Sequence, residues 1–354
     1  MTWRRQGGLW TRRRMLGSTL AAATVPLVGC RTTSPEPVGP GQPLPFLTKR
    51  GDFYVFSKGA APEPWTGGGG VSIGSGGEPV VVPWERVREL ATRKIPRTII
   101  CDGHGFTVDS LPPKSLGYTI DRWPWRYSAC GTAEWDVVSL GDLVAAAGQT
   151  LDGDWVRARG RDGEEWVYPV AFAREHVWVA VGMNGEPLPH EHGAPARLIA
   201  EGEYGLTCIK WLQDIELRTD PAEEREYAQR LYHRAPVKPV AFASSPAHGA
   251  TIKGTEVELH GVAYGGAAAV SAVELWFGAR GKWQEEVWRA ELLDPPQPYV
   301  WSRWSSRFEL PRGRSTVCVA CVATDGRYST WAPEKAPPEP DGWGGIQTLE
   351  LVRG

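Results

Sequence analysis

MNGEPLPHEHGAPARL at residues 183–198, continuing as GEYGLTCIKWL at 202–212, is the stretch on which the reading of this chain turns. Among its side chains are His192, Arg197 and Lys210, which span nineteen positions. Taken singly, each has an ordinary reading: a turn histidine, an arginine in a surface ion pair, a solvated lysine. Their joint occurrence at these spacings is what calls for an explanation.

Working upstream, Arg97-Thr98-Ile99-Ile100-Cys101 follows Pro96 and reads as a buried strand by its β-branched run. It breaks into Asp102-Gly103-His104-Gly105-Phe106, so the thiol of Cys101 stands where a strand enters a glycine loop. Such a thiol is well held and within reach of a ligand, although a buried structural cysteine is the commoner fate of a lone one. Before that strand, residues 84–91 give a short amphipathic helix with Pro83 at its start. Farther on, Ser139-Leu140-Gly141-Asp142 is a capping-box-like helix start that closes at Gly148.

The blocks MNGEPLP, HGxPxR, GxxG and KWL at these spacings resemble the sulfite oxidase superfamily of molybdopterin-dependent oxidoreductases, in its sulfite dehydrogenase-like branch. The strand leading into Cys101, and Cys130-Gly131-Thr132-Ala133-Glu134-Trp135 ahead of the Ser139 helix, fall where that family keeps its metal-binding cysteine and its substrate-funnel segment. The resemblance implies a molybdenum-molybdopterin cofactor with Cys101 as the protein's ligand to the metal, a role that suits a soft thiolate. It implies that His192, Arg197 and Lys210 hold the pterin and its phosphate, which needs cations and donors. It also implies catalytic roles for Tyr232, with Tyr227 as competitor, and for Arg303 in Trp301-Ser302-Arg303-Trp304, brought in by a second domain.

The expected fold is an α+β sulfite oxidase-type molybdopterin domain over residues 46–235, followed by an all-β immunoglobulin-like sandwich over 236–354. Pro236-Val237-Lys238-Pro239 marks the boundary, and Glu256-Val257-Glu258-Leu259 and Ala272-Val273-Glu274-Leu275 alternate as half-buried strands do. Gly261-Val262-Ala263-Tyr264-Gly265-Gly266 is similar to the start of the family's dimerisation module, which implies a homodimer; the family's tail motif is reduced here to Trp343-Gly344-Gly345-Ile346-Gln347.

The chain also departs from the family. Phe53-Tyr54-Val55-Phe56-Ser57-Lys58 stands where sulfite-oxidising members carry an arginine, and Phe106 occupies a second such position, five residues after Cys101. Desolvating an anion without a cation is costly, so sulfite is not the expected substrate. The expected activity is oxygen-atom transfer on another small substrate, with uncharged compounds preferred. The alternative is a binding or scaffold lipoprotein that keeps the fold and has altered catalysis.

Other features bound the reading. The 354 residues exceed what one core usually serves. The net charge of −2, without a basic patch, argues against nucleic acid as a partner. Residues 1–30 read as an address: Thr11-Arg12-Arg13-Arg14-Met15-Leu16 has the form of a twin-arginine export signal, and Leu27-Val28-Gly29-Cys30 resembles a lipoprotein cleavage site with Cys30 as the lipidated residue. A Pro-rich tether over 31–45 follows. The expectation is an extracytoplasmic, periplasmic protein anchored to the membrane by lipid. Export in the folded state suits a cofactor inserted beforehand. No CxxCH occurs, so an external electron carrier such as a c-type cytochrome, or a quinone-linked partner, is expected. Cys318-Val319-Ala320-Cys321 lies in a strand-like run and reads as core, since i and i+3 face opposite ways. GGGGVSIGSGG around Ser72 matches a serine-hydrolase elbow only in pattern, and reads as a flexible loop.

Overall fold

A computed structural model of the chain describes residues 42–57, 60–104, 129–218, 235–279, 286–329 and 345–354, with 282–283 as backbone alone. The first region contains β1 (Gly70–Gly74), β2 (Val80–Pro83), α1 (Trp84–Leu90), β3 (Arg93–Ile100), β4 (Cys130–Ser139), α2 (Leu140–Ala146), β5 (Trp155–Gly160), β6 (Glu165–Pro169), α3 (Val170–His176), β7 (Val177–Met183), β8 (Glu186–Pro187), β9 (Arg197–Ala200) and β10 (Leu212–Arg218). The second contains β11 (Val240–Ser245), β12 (Ala250–Ile252), β13 (Glu256–Tyr264), β14 (Val270–Ala279), β15 (Lys282–Trp283), β16 (Trp288–Arg289), β17 (Glu291–Leu292), β18 (Ser302–Glu309), β19 (Gly313–Ala323) and β20 (Gln347–Arg353). Strands dominate both regions, and each described helix is only seven residues long.

The local signals act as expected in several places. Ser139 caps α2 by accepting from the Asp142 backbone N–H at 3.0 Å, and Gly148 closes the helix at φ +70°. Helix α1 ends at Leu90, one residue short of the expected range. Strand β3 starts earlier than expected, at Arg93, and runs through Pro96 opposite Glu134 of β4. The stretch around Ser72 is a correction. Gly70–Gly74 is not a loop but strand β1, paired on one side with β2 and on the other with β10, with Val71 and Ile73 wholly buried. The glycines hid a short alternating segment whose two apolar side chains both enter the core.

Two sheets build the first region, in the orders β2-β1-β10-β5-β6 and β3-β4-β7-β8, with β9 also paired to β7. The second region has sheets β11-β13-β18-β17 and β12-β20-β19-β14-β15. Alternation along β11 and β13 decides how the regions meet. Ala241, Ala243, Leu259 and Ala263 join the core between the two sheets of the second region, whereas Val240, Phe242, Val262 and Tyr264 pack into the core of the first. That sheet is therefore apolar on both faces, which is why residues 259–264 read as an unbroken buried run. Backbone bonds stitch the seam: Thr98 donates to Tyr299 at 3.0 Å, Trp301 N–H donates to Thr98 Oγ1 at 2.8 Å, and Val237 donates to Gly202 at 2.9 Å. Cys318 and Cys321 are both buried free thiols on β19, with Cys321 facing the inter-sheet core and Cys318 the opposite side, beside Ala320 and Ile346.

Candidate active site

Cys101 follows directly on the last residue of β3. Its backbone N–H continues the ladder by donating to Ala129 at 2.9 Å, and its carbonyl accepts from His104 N–H at 3.0 Å in the turn that follows. The strand thus holds the thiol rigidly at the edge of a cavity, where it is 3% exposed. Its Sγ donates to Asp102 Oδ1 at 3.3 Å. His104 is fully buried, with its ring 4.8 Å from that of Phe242 across the seam; burial pushes its pKa down to about 3, so it is neutral.

The opposite wall comes from the 183–212 stretch. His192 ends a single 3-10 turn, His190–His192, and Gly193 follows at φ +109°. A Cβ on Gly193 would come within 2.9 Å of Lys210 Cβ and 3.1 Å of its Cα, so only glycine lets the two segments pass this closely. Three bonds then bind the segments in register: Trp211 N–H to Gly193 O at 3.2 Å, Leu198 N–H to Ile209 O at 2.8 Å, and Leu212 N–H to Ala196 O at 2.9 Å. Trp211 Nε1 adds a bond to His190 O at 2.8 Å. The HGxPxR and KWL blocks are therefore two edges of one structure, which places His192, Arg197 and Lys210 on a common wall.

These three side chains and Cys101 line one cavity, with an empty volume of about 700 Å³ including its open part. Tyr54, Phe56, Ser57, Asp102, Asp162 and Glu164 contribute to the same lining. Arg197 is 5% exposed and lies 5.4 Å from the Trp135 ring. Its guanidinium donates to His192 O at 3.2 Å and Cys208 O at 3.3 Å, and no carboxylate among the described residues pairs with it. Lys210 Nζ donates to Ser57 Oγ at 2.6 Å and Glu191 O at 3.0 Å, and sits over the Trp211 ring. Burial, reinforced by the positive charge of Arg197, pushes the His192 pKa down to about 4, so its ring is neutral at pH 7. Phe53 packs edge-on against both His192 and Trp135, with centroids at 5.5 and 5.8 Å, and fixes the wall from behind. Burial, and after it the neighbouring Cys101, hold the Tyr54 hydroxyl well above the usual phenol range.

Arg303, expected in a catalytic role, is engaged with a carboxylate of its own region. Its guanidinium grips Asp294 through Nε at 2.9 Å and Nη2 at 2.7 Å, reaches Leu44 O at 3.4 Å, and does not line the cavity. Asp294, nine positions earlier in the chain, captures the cation, a pairing that the local motif does not announce. Tyr232, Tyr227, Phe106 and Cys30 lie outside the described residues. Sequence reasoning passed over Phe53, Tyr54 and Asp102 as site residues; adjacency to Cys101 is the one signal that pointed to Asp102.

The residues fit the cofactor that the sequence suggested. A buried cation without a carboxylate counter-ion is an unbalanced charge that an anionic group such as a phosphate would satisfy. Lys210, on the same wall, adds a second cation, and Cys101 is the soft donor that a molybdenum dithiolene centre takes.

Comparison with known proteins points the same way. A family model described as "Oxidoreductase molybdopterin binding domain" matches residues 71–226. Mitochondrial sulfite oxidase of Mus musculus is 26% identical over 291 residues, covering 74% of this chain and 52% of that protein. The Homo sapiens protein is 28% identical over 244 residues, covering 60% and 44%. An NADPH nitrate reductase of Fusarium oxysporum is 30% identical over 136 residues, covering 36% and 14%. The chain thus spans about half the length of the curated sulfite oxidases it matches, at 52% and 44%. The crystal structure of the sulfane dehydrogenase SoxCD from Paracoccus pantotrophus superposes with a TM-score of 0.70 at 19% identity, over 87% of this chain and 82% of that one, which shows a shared fold. A thiol and two cations facing one cavity agree with these likenesses: residues 71–226 match the oxidoreductase molybdopterin-binding domain, the chain is similar to the sulfite oxidases, and the cofactor is molybdenum carried by molybdopterin.

Proposed function

We propose that this protein is an exported, lipid-anchored oxidoreductase that performs oxygen-atom transfer on a small molecule other than sulfite. The observation that carries the reading is Cys101, held at the end of β3 and facing the same cavity as Arg197 and Lys210. When bound, the cofactor supplies two-electron redox chemistry coupled to transfer of an oxygen atom. The chain's own part is to present Cys101 as the protein donor to molybdenum and to seat the pterin and its phosphate against His192, Arg197 and Lys210. His192 is neutral and can donate or accept through a ring nitrogen, while the two cations balance the phosphate.

Phe56 in the cavity wall supports a substrate other than sulfite, because it places an apolar ring where the sulfite-oxidising pattern has an arginine. Tyr232 is proposed to stand beside the metal. The electrons pass to or from an external carrier such as a c-type cytochrome. The second region, two stacked sheets, is proposed as an immunoglobulin-like module that pairs two copies of the chain. The twin-arginine pattern and Cys30 support export and lipid anchoring; among the described residues no helix is long and apolar enough to cross a membrane.

The test is metal and pterin content after expression with cofactor supply. We expect close to one molybdenum per chain, and Cys101→Ser to lose most of the metal or to change its spectrum. Unchanged metal content and an unchanged spectrum in that variant would overturn the assignment. The scaffold reading gains if the metal is present yet no donor or acceptor cycles it between oxidation states.

A further inference from the structure

Successive side chains of a strand point to opposite faces, which decides what lies at one end of the second region. Phe277 of β14 is in phase with Val273 and Leu275, and Ser315 of β19 with Val317 and Val319. Arg353 of β20 is likewise in phase with Leu349 and Leu351, and those apolar residues fill the core between the two sheets. Register makes the three leading residues diagonal neighbours: Phe277 pairs with Val317 and Ala279 with Ser315, while Ser315 pairs with Leu351 and Gly313 with Arg353. A ring, a hydroxyl and a guanidinium thus stand in one row across three adjacent strands, where the apolar filling of the sandwich ends. Phe308 and Leu310 face them from the other sheet, and Trp288 closes the side. These residues line a cavity of about 940 Å³ including its open part, and it shares no lining residue with the cavity of Cys101.

The walls of this cavity are aromatic, and its polar groups can all donate. The Phe277 and Phe308 ring centroids are 4.1 Å apart, and Trp288 lies 5.8 and 6.5 Å from them. Ser315 is 2% exposed, yet its Oγ has no hydrogen-bond partner among the described residues, and neither has the buried Nε1 of Trp288. Arg353 Nη1 donates to Leu310 O at 2.7 Å across the gap between the sheets, and no carboxylate among the described residues pairs with this arginine. Glu309, also in the lining, follows Phe308 on β18, so its exposed side chain points to the other face of that sheet. A buried polar group without a partner carries a free-energy cost that a matching acceptor removes. Three donors beside aromatic walls, one of them a cation, match an anionic acceptor on a flat apolar body. We propose that this end of the second region binds a small aromatic carboxylate. The ring packs among Phe277, Trp288 and Phe308, and the carboxylate accepts from Ser315 Oγ, Trp288 Nε1 and Arg353. Binding there requires neither the cofactor nor a substrate at Cys101.

The test is titration calorimetry of the full, metal-loaded chain with benzoate, benzamide and phenyltrimethylammonium, which share a ring and differ in the charge of the head group. Benzoate is expected to bind about tenfold more tightly than benzamide, because charge-assisted hydrogen bonds are about twice as strong as neutral ones. The cation should not bind measurably. Ser315→Ala and Arg353→Met should each weaken benzoate about tenfold or more. Ser315→Ala removes a hydroxyl that has no partner in the fold, so the melting temperature without ligand should stay the same or rise. Weaker binding in that variant is therefore not a loss of fold. The proposal is overturned if benzoate does not bind, if the cation binds as tightly as benzoate, or if Ser315→Ala and Arg353→Met both bind benzoate as the parent does.

Discussion

The cavity wall and the seam between the two regions both bury charge, but they treat it oppositely. At the seam, Glu201 is 6% exposed and fully engaged: Arg97 Nε and Nη2 lie 2.5 Å from Oε1, Trp178 Nε1 donates to it at 2.9 Å, and His176 Nδ1 lies 3.3 Å from Oε2. Tyr299 of the second region closes over this set, with Arg97 5.4 Å from its ring. In the cavity, Arg197 is as deeply buried and finds only carbonyls among the described residues. A fold that balances its charge within the chain at one place and leaves it unbalanced at another separates structure from function. The first charge stabilises the joint, and the second awaits a ligand.

That contrast can be broken or sharpened by mutation and pH. The largest effect on folding should come at the seam. Glu201→Gln strands Arg97 in a partly buried position and should cost about 3–5 kcal/mol in denaturant unfolding, as breaking a buried pair does. A loss below about 1 kcal/mol would show that the network does not hold the regions together.

Next comes pH. The folded pKa values of His104 and His192, about 3 and about 4, lie below the ordinary value of 6.5, so the unfolded chain takes up protons that the folded one refuses. Stability is therefore full above pH 6.5 and is lost as pH falls from there toward 4, with a slope of at most about 1.4 kcal/mol per unit for each histidine. Melting temperature against pH for cofactor-free protein checks this, and His104→Leu should remove the seam's share and flatten the slope.

Gly193→Ala is expected to cost about 1–3 kcal/mol, because the left-handed φ of +109° and the approach to Lys210 both oppose a Cβ. It should loosen cofactor retention by shifting Lys210 away from His192. The smallest change in folding belongs to the cavity. Arg197→Met should alter the unfolding free energy of cofactor-free protein by about 1 kcal/mol or less, since an apolar side chain replaces a charge with no carboxylate partner. The same variant should lose most of its pterin on purification. If Arg197→Met unfolds the protein as Glu201→Gln does, the distinction between the two regions fails.

How much was legible in the sequence differs from element to element. Ser139 with Asp142 announced its helix because a cap is a local bond between residues three apart. The β-branched run before Cys101 announced its strand for the same local reason. The 67–77 stretch misled because seven glycines masked Val71 and Ile73, whose burial depends on β10, more than 130 residues away. The pairing of Arg303 with Asp294 was not legible, because the carboxylate is brought to it by the turn that precedes β18.

The order of residue types along the chain determined the cofactor, because a soft thiol and three spaced nitrogen-bearing side chains are chemical identities that no folding step can supply or remove. Tertiary structure alone decided which of the arginines faces the cavity and which is taken up by a carboxylate. Electrostatic pairing acts over ångströms in space and is blind to distance along the chain.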